Sequence, residues 1–256
     1  MPVRAFRVSD NYRPIDPEHG VNETLFPTHR QPALRDAVRD LAQAGETERG
    51  SVYTKPEIVR TILDLAGYTP DRPLHRMRLL EPSFGGGDFL FPVVDRLLAA
   101  FTAHGGTPAH VRQLADAVRG VEVHKAAFER TCDALIDRLV AWGAGVNDAA
   151  WTVDRWLSQD DFLLWPDTDA KDFVVGNPPY VRQERIPGPL LEEYRRRYKT
   201  IYDRADLYVP FYERGLDLLA PGGRLAFICA NRWLKNKYGG PLREHASSGF
   251  HLRYFI

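Results

Sequence analysis

The 256-residue chain has little cysteine, no surplus of charge of either sign and no long apolar run. Its two cysteines, Cys132 and Cys229, lie far apart, so we expect neither a disulfide framework nor a zinc-binding CxxC pair. Lysine plus arginine equals aspartate plus glutamate at 34 each, so anion binding must come from local patches. No apolar run approaches the roughly 20 residues that cross a bilayer. The N-terminus, with Arg4 and Arg7, does not resemble a signal peptide, and we expect a cytoplasmic protein.

Metal chemistry is not indicated either, because His104, His110 and His124 lack metal-ligand spacing to cysteines or carboxylates. Both cysteines are expected to pack in the core. Hydrophobic residues make up 44% of the chain and charged residues 27%, the composition of an ordinary globular protein. The length allows one large domain or two small ones.

From residue 78 onwards, short apolar segments alternate with amphipathic helical ones. This alternation predicts an α/β fold with a mostly parallel sheet and helices on both faces. Residues 1–49 are predicted to form an N-terminal arm and one helix, and residues 50–256 the main domain. Helices are predicted at 32–45, 54–67, 87–101, 125–142 and after residue 206. Strands are predicted at 78–82, 118–123, 151–157, 171–178, 224–230 and 251–256.

Three strand ends carry side chains suited to a nucleoside, because ligands of such sheets bind beyond the carboxyl ends of the strands. "LLEPSFGGGDFL" places Glu81 at the end of the first strand, and Gly85 and Gly87 let the following turn approach a ligand closely. It matches neither GxGxxG nor a P-loop, so a nucleoside without a phosphate chain is favoured. Glu122 ends "GVEV", where a ribose would be held; alternatively it is a solvated residue before a helix.

The third strand end is "SQDDFLLW", in which Asp160 and Asp161 are both candidates to accept a hydrogen bond from an adenine amino group. Either could instead only cap the following turn. Taken in order along the chain, the three strand ends predict a nucleoside pocket more strongly than any one of them does.

The fourth strand end, "FVVGNPPYVRQE", is suited to chemistry on an aromatic amine, which is a poor nucleophile because its lone pair is delocalised. The Asn177 oxygen and the Pro178 carbonyl can accept both amine hydrogens, and Tyr180 can stack on the base. Both acceptors bind more strongly as the attacking amine becomes positive, which is what catalysis requires. The alternative is that Asn-Pro-Pro forms only a turn.

These motifs, in this order from about Gly50 to Ile256, resemble the gamma-class DNA adenine-N6 methyltransferases of type II restriction–modification systems, and phage-defence methylases look similar. The resemblance implies a Rossmann-like class I methyltransferase fold that lacks its last strand, and S-adenosyl-L-methionine as methyl donor. It also implies catalytic roles for Asn177, Pro178 and Tyr180 on an adenine flipped out of double-stranded DNA. The implied cofactor-binding residues are Thr54, Glu81, Ser83, Gly85, Gly87, Glu122, Asp161, Phe162 and Phe211.

The resemblance is incomplete in two respects. Lys55 stands where the family usually has a less bulky residue. Members also supply a second aromatic residue against the flipped base, and a target-recognition domain, from segments after the strand matching 251–256. We therefore expect a catalytic domain whose partner is a C-terminal half or a specificity or nuclease subunit. The basic runs 195–199 and 231–237 are candidate phosphate contacts, or only solvated faces.

Two other functions remain open at this point. The same NPPY chemistry serves methylases that act on a protein glutamine or on an RNA amine, although the former usually carry a different first glycine turn. The chain could also be a non-catalytic module that binds cofactor within a larger complex.

Overall fold

The computed structural model describes residues 3–8, 31–43 and 53–256. They form one seven-stranded sheet in the order β4-β3-β2-β5-β6-β1-β7. The strands are β1 (Val3–Val8), β2 (Leu79–Glu81), β3 (Val118–Glu122), β4 (Leu157–Gln159), β5 (Lys171–Gly176), β6 (Leu219–Ile228) and β7 (Phe250–Phe255). The helices are α1 (Gln31–Gln43), α2 (Pro56–Ala66), α3 (Leu90–Ala103), α4 (Lys125–Trp142), α5 (Val146–Trp156), α6 (Gly188–Arg197), α7 (Tyr208–Asp217), α8 (Arg232–Lys235) and α9 (Gly240–Gly249).

The central strands are parallel, as the alternation of strands and helices predicts. β2 pairs in parallel with both β3 and β5, β3 with β4, and β5 with β6. The chain runs outward from β2 through β3 to β4 and then returns to β5 on the other side of β2. The strand order therefore reverses between β2 and β5, and a crevice opens at such a reversal.

The sheet is buried on both faces, since successive residues of its strands contribute to two different hydrophobic clusters. Leu79, Phe173 and Ala226 pack with α2 and α3 on one face. Their neighbours Leu80 and Val174 pack with α6 and α7 on the other face. This alternation follows from the two-residue repeat of a β-strand, and it explains why the strands read as continuous apolar runs.

One predicted strand is wrong. Residues 151–157 belong largely to α5, and only β4 is extended. The buried residues Ala149, Thr152, Val153 and Trp156 recur with helical spacing, so the segment buries one helical stripe. The apparent alternation in "WTVDRW" covers too few residues to separate the two patterns.

The N-terminal segment contributes to the sheet, contrary to the expectation of an irregular arm there. β1 lies between β6 and β7 and is antiparallel to both. The sequence predicts six strands, whereas seven occur in the described part of the chain. The domain boundary at residues 49 and 50 stays a prediction. Across residues 3–8, 31–43 and 53–256, no helix combines the length and the apolar character that a membrane span requires.

Candidate active site

A cleft of about 880 Å³, open solvent at its mouth included, lies where the strand order reverses. It is bounded by the carboxyl ends of β2, β3, β4 and β5 and by the segment before α2. The predicted site residues that line it are Thr54, Glu81, Ser83, Gly85, Glu122, Asp161, Phe162, Asn177 and Phe211.

The glycine turn after β2 forms the floor of this cleft. Gly85 has φ +53°, and a Cβ atom added there would meet nothing within 4 Å. Its backbone N–H donates to Glu122 Oε2 at 2.7 Å, which joins the ends of β2 and β3. Gly87 does not line the cleft: it has φ +87°, and a Cβ atom there would lie 2.6 Å from the Phe91 ring. Gly87 therefore serves the turn and its packing.

Glu122 is held in place by the backbone on both of its carboxylate oxygens. Oε2 accepts from Gly85 and Oε1 accepts from the His124 N–H at 2.8 Å. The side chain is buried and lines the cleft, so it is not the solvated residue of the alternative interpretation. A carboxylate has about four acceptor positions, so a carboxylate fixed in this way is the type of group that can accept hydrogen bonds from hydroxyl donors.

The Glu81 carboxyl group lies in an electrostatically unfavourable position in the cleft. Its side chain is 1% exposed, and Oε2 has no hydrogen-bond partner among the described residues. Burial raises the pKa of Glu81 well above its usual value, and the carboxylates of Asp88 and Glu122 raise it further. A buried carboxylate that lines a cleft without a cation is a place where a cationic ligand group would be stabilised.

Asp161 is positioned by groups from two different elements. The Tyr194 hydroxyl, on α6, donates to Asp161 Oδ2, and the Leu163 N–H donates to Oδ1 at 2.9 Å. Burial raises the pKa of Asp161 to about 6, although both hydrogen bonds act in the opposite direction. Asp160 also lines the cleft and accepts the Asp161 N–H at 2.7 Å, which is the capping role. Asp161 is thus the better-fixed acceptor.

Two aromatic rings lie beside these carboxylates. The centroids of Phe162 and Phe211 are 5.0 Å apart at an interplanar angle of 46°. Both side chains are buried and line the cleft. They give it an apolar wall suited to a flat ring.

Asn177 follows β5 directly and lines the same cleft. Its Nδ2 donates to Thr54 Oγ1 at 3.1 Å, and the Thr54 N–H donates to Asp88 Oδ2 at 2.7 Å. Thr54 does not cap α2, since Lys55 is the N-cap and makes no side-chain cap bond. The threonine is instead tied to the NPPY loop and to the glycine turn.

Pro178 and Tyr180 lie in the same loop but are not among the residues that line the cleft. Pro178 is buried and Tyr180 is half-buried. The Tyr180 hydroxyl donates to the Ile228 carbonyl at 3.3 Å, and its ring lies 5.9 Å from that of Tyr208. These contacts fix the tyrosine beside the ends of β5 and β6.

The two basic runs differ in their surroundings. In the first run, Arg196 and Arg197 both pair with Glu193, and Arg195 donates to Gln183 at 2.9 Å. That run is a paired helix surface, which favours the solvated-face interpretation. The second run follows β6 at the cleft edge of the sheet, and its exposed cations are Arg232, Lys235 and Lys237. It remains a candidate phosphate contact.

Sequence reasoning missed several cleft residues, among them Leu41, Asp88 and Tyr194. Asp88 directly follows the glycine turn, so the turn motif could have identified it. Tyr194 lies next to a run of arginines on α6, and no local motif marks it. Neither of the cysteines takes part in the cleft, and Cys229 is buried. The described residues contain no group of three His, Cys, Asp or Glu side chains that could hold a metal ion.

Comparison with known structures identifies the fold. The structure is similar to a class I S-adenosylmethionine-dependent methyltransferase from Listeria monocytogenes, with a TM-score of 0.52 at 14% identity over 85% of this chain and 57% of that one. The fold is therefore that of the class I methyltransferases, as the motifs predict.

The particular family is shown by sequence. The profile of the Eco57I restriction-modification methylase family matches residues 126–256, just over half of the chain, and the chain belongs to that family. It is 55% identical over 221 residues to the type II methyltransferase M.PaeR7I of Pseudomonas aeruginosa. It is 52% identical over 210 residues to M.XhoI of Xanthomonas vasicola. The matched regions are 86% and 82% of this chain but 38% of each relative. The resemblance to restriction–modification methylases is confirmed.

Proposed function

We propose that this chain is a catalytic domain that transfers a methyl group from S-adenosyl-L-methionine to the N6 amino group of a flipped adenine in DNA, within a restriction–modification or phage-defence system. The observation that carries the proposal is that the NPPY amide, Asn177, opens onto the same cleft as Glu81, Glu122 and Asp161. A site for the amine that receives the methyl group therefore lies next to a site for a nucleoside. The names of the type II methyltransferase relatives support DNA as the substrate.

The residues of the cleft fit S-adenosyl-L-methionine. Glu81 Oε2, which is buried and has no hydrogen-bond partner within residues 3–8, 31–43 and 53–256, is suited to the ammonium of the methionine part. Glu122 is suited to ribose hydroxyls and Asp161 to the adenine amino group, with Phe162 and Phe211 against the ring. Thr54, Ser83 and Gly85 would complete the methionine end. When bound, this cofactor supplies an electrophilic methyl group on a sulfonium.

On the target side, Asn177 and Pro178 would prepare the amine for attack. The Asn177 oxygen accepts one N–H and the Pro178 carbonyl accepts the other, which leaves the nitrogen lone pair free. Proline has no N–H of its own to compete and holds the loop rigid. By comparison with other preorganised acceptors, losing the amide would raise the barrier by roughly 3–4 kcal/mol. Tyr180 would stack on the base, which is worth about 1–3 kcal/mol.

Double-stranded DNA is the proposed partner, and the exposed basic segment 231–237 is the proposed phosphate contact. A C-terminal half or a specificity or nuclease subunit is proposed as a second partner. The chain spans 38% of the length of its relatives, which supports a further part that reads the target sequence. We also propose that the protein acts in the cytoplasm.

Incubation with methyl-labelled cofactor and, separately, duplex DNA, RNA or a protein extract tests the proposal. Label in DNA is the expected result. Label in protein glutamine or in RNA would support the second enzymatic function instead. Cofactor binding with no transfer to any of the three would identify a non-catalytic module and would contradict the proposal for this chain.

A further inference from the structure

Two hydrogen bonds connect the glycine turn to the NPPY loop through a single residue. Asp88 Oδ2 accepts the Thr54 N–H at 2.7 Å, and Thr54 Oγ1 accepts from Asn177 Nδ2 at 3.1 Å. Thr54 is 4% exposed, and all three residues line the cleft. Thr54 thus contacts residues that lie 34 and 123 positions away from it in the sequence.

The second bond bears on the direction in which Asn177 presents its amide. An asparagine side chain carries an acceptor oxygen on one side and a donor NH2 group on the other. A half turn of the amide would exchange the oxygen and the NH2 group. The N–H groups of Asn177 would then face the N–H groups of an amine substrate, and the two sets of donors would repel each other. The bond from Nδ2 to Thr54 Oγ1 holds the NH2 side of the amide toward the threonine, so the oxygen lies on the opposite side of the amide.

Thr54 itself needs an anchor, because it lies outside regular secondary structure. α2 begins at Pro56, and its first backbone bonds run to the Lys55 carbonyl. The position of Thr54 therefore depends on the bond from its N–H to Asp88. An ionised acceptor makes such a bond stronger than a neutral one does.

We propose that Asp88 and Thr54 are positioning residues for methyl transfer: Asp88 fixes the Thr54 backbone, and the Thr54 hydroxyl fixes the Asn177 amide with its oxygen as acceptor. This inference rests on the proposed function. A positioning role is distinct from a role in which Thr54 does no more than hold the cofactor. Loss of a positioning contact lowers the turnover rate even at saturating cofactor.

The first test compares Thr54→Val, which removes the hydroxyl acceptor, with Thr54→Ser, which keeps it. We expect kcat at saturating cofactor to fall about tenfold in Thr54→Val, the effect of one lost hydrogen bond that orients a reacting group. Thr54→Ser should recover most of this loss. Because kcat is measured at saturating cofactor, a change in cofactor Kd from the proposed contact of Thr54 with the methionine end does not affect the comparison. A raised Kd with unchanged kcat in Thr54→Val would overturn the proposal in favour of a cofactor contact.

The second test concerns Asp88 and uses a matched pair that separates charge from hydrogen bonding. Asp88→Asn and Asp88→Ala both remove the charge, but only the asparagine keeps an oxygen acceptor for the Thr54 N–H. We expect kcat to fall more in Asp88→Ala than in Asp88→Asn. Because Asp88 acts through Thr54, adding Asp88→Ala to Thr54→Val should lower kcat no further. Additive losses would overturn the relay.

A readout without turnover keeps the two proposals apart. The Asn177 side-chain NH2 resonances, identified as those lost in Asn177→Ala, should shift in Thr54→Val and Asp88→Ala and remain near their wild-type positions in Thr54→Ser. Unchanged resonances in Thr54→Val would overturn the positioning role. A wild-type protein that shows the expected shifts but methylates no DNA would instead contradict the proposed function alone.

Discussion

Replacing Glu81 by glutamine removes a buried charge from the cleft while it preserves the size of the side chain. The Glu81 carboxyl is 1% exposed, lies near two other carboxylates and has one oxygen without a partner. Its ionised form therefore destabilises the ligand-free protein and, in our proposal, binds the cofactor ammonium. The variant should gain stability and lose affinity for the cofactor, a trade-off typical of functional sites.

The raised pKa of Glu81 determines how the stability of the wild-type protein changes with pH. Because the folded-state pKa of Glu81 is raised, the folded protein holds a proton that the unfolded chain has already released. The free energy of unfolding therefore falls as pH rises from the unfolded pKa, about 4.3, towards the raised value. In Glu81→Gln this fall is absent, so the stability difference between variant and wild type should widen by about 1.4 kcal/mol per pH unit in that interval.

Thermal unfolding of the ligand-free protein in a pH series upward from about pH 5 measures the difference, and a widening of about 1.4 kcal/mol corresponds to roughly 3–6 °C in Tm for a chain of this length. Calorimetric titration should show cofactor Kd raised about 10- to 150-fold, the effect of losing a hydrogen bond to a charged group. Glu192→Gln, an exposed change on α6, is the matched control and should alter neither quantity. Parallel stability curves for Glu81→Gln and wild type, or an unchanged Kd, would refute the reasoning.

Three further predictions concern the rest of the site. Asn177→Ala should lower methyl transfer about 10²- to 10³-fold while cofactor Kd changes little in titration calorimetry; equal loss of both would contradict its assigned role. Cofactor binding should weaken as pH falls through about 6, where Asp161 gains a proton. Tyr194→Phe removes a bond that lowers the pKa of Asp161, so the midpoint of Kd against pH should move upward, and an unmoved midpoint would exclude this coupling. Gly87→Ala should lower Tm more than Gly85→Ala, since both have positive φ but only the former brings a Cβ against a ring; chemical denaturation checks the order.

The site residues at the strand ends were predictable because each of them directly follows a buried apolar run. Glu81, Glu122 and Asn177 all satisfy this rule, and parallel strands bring their carboxyl ends to one edge of the sheet. The cleft at the reversal of strand order follows from the same topology. Local sequence was therefore sufficient for the parts of the site that lie on strands.

The remaining features depend on contacts that no local pattern contains. Tyr194 reaches Asp161 from a helix 33 residues away, and Thr54 meets Asn177 across 123 residues. The pairing of β1 with β6 and β7 joins opposite ends of the chain. α5 was misassigned because strand and helix patterns are not distinguishable in a short apolar segment.

The central claim is that the Asn177 amide holds an adenine amine beside the cofactor's methyl group. The most direct measurement is nucleoside mass spectrometry of duplex DNA after incubation of the wild-type and Asn177→Ala proteins with S-adenosyl-L-methionine. We predict N6-methyladenine with the wild type and about 10²- to 10³-fold less with the variant in the same time. Methylated cytosine with the wild type, or equal amounts of N6-methyladenine with both proteins, would contradict it.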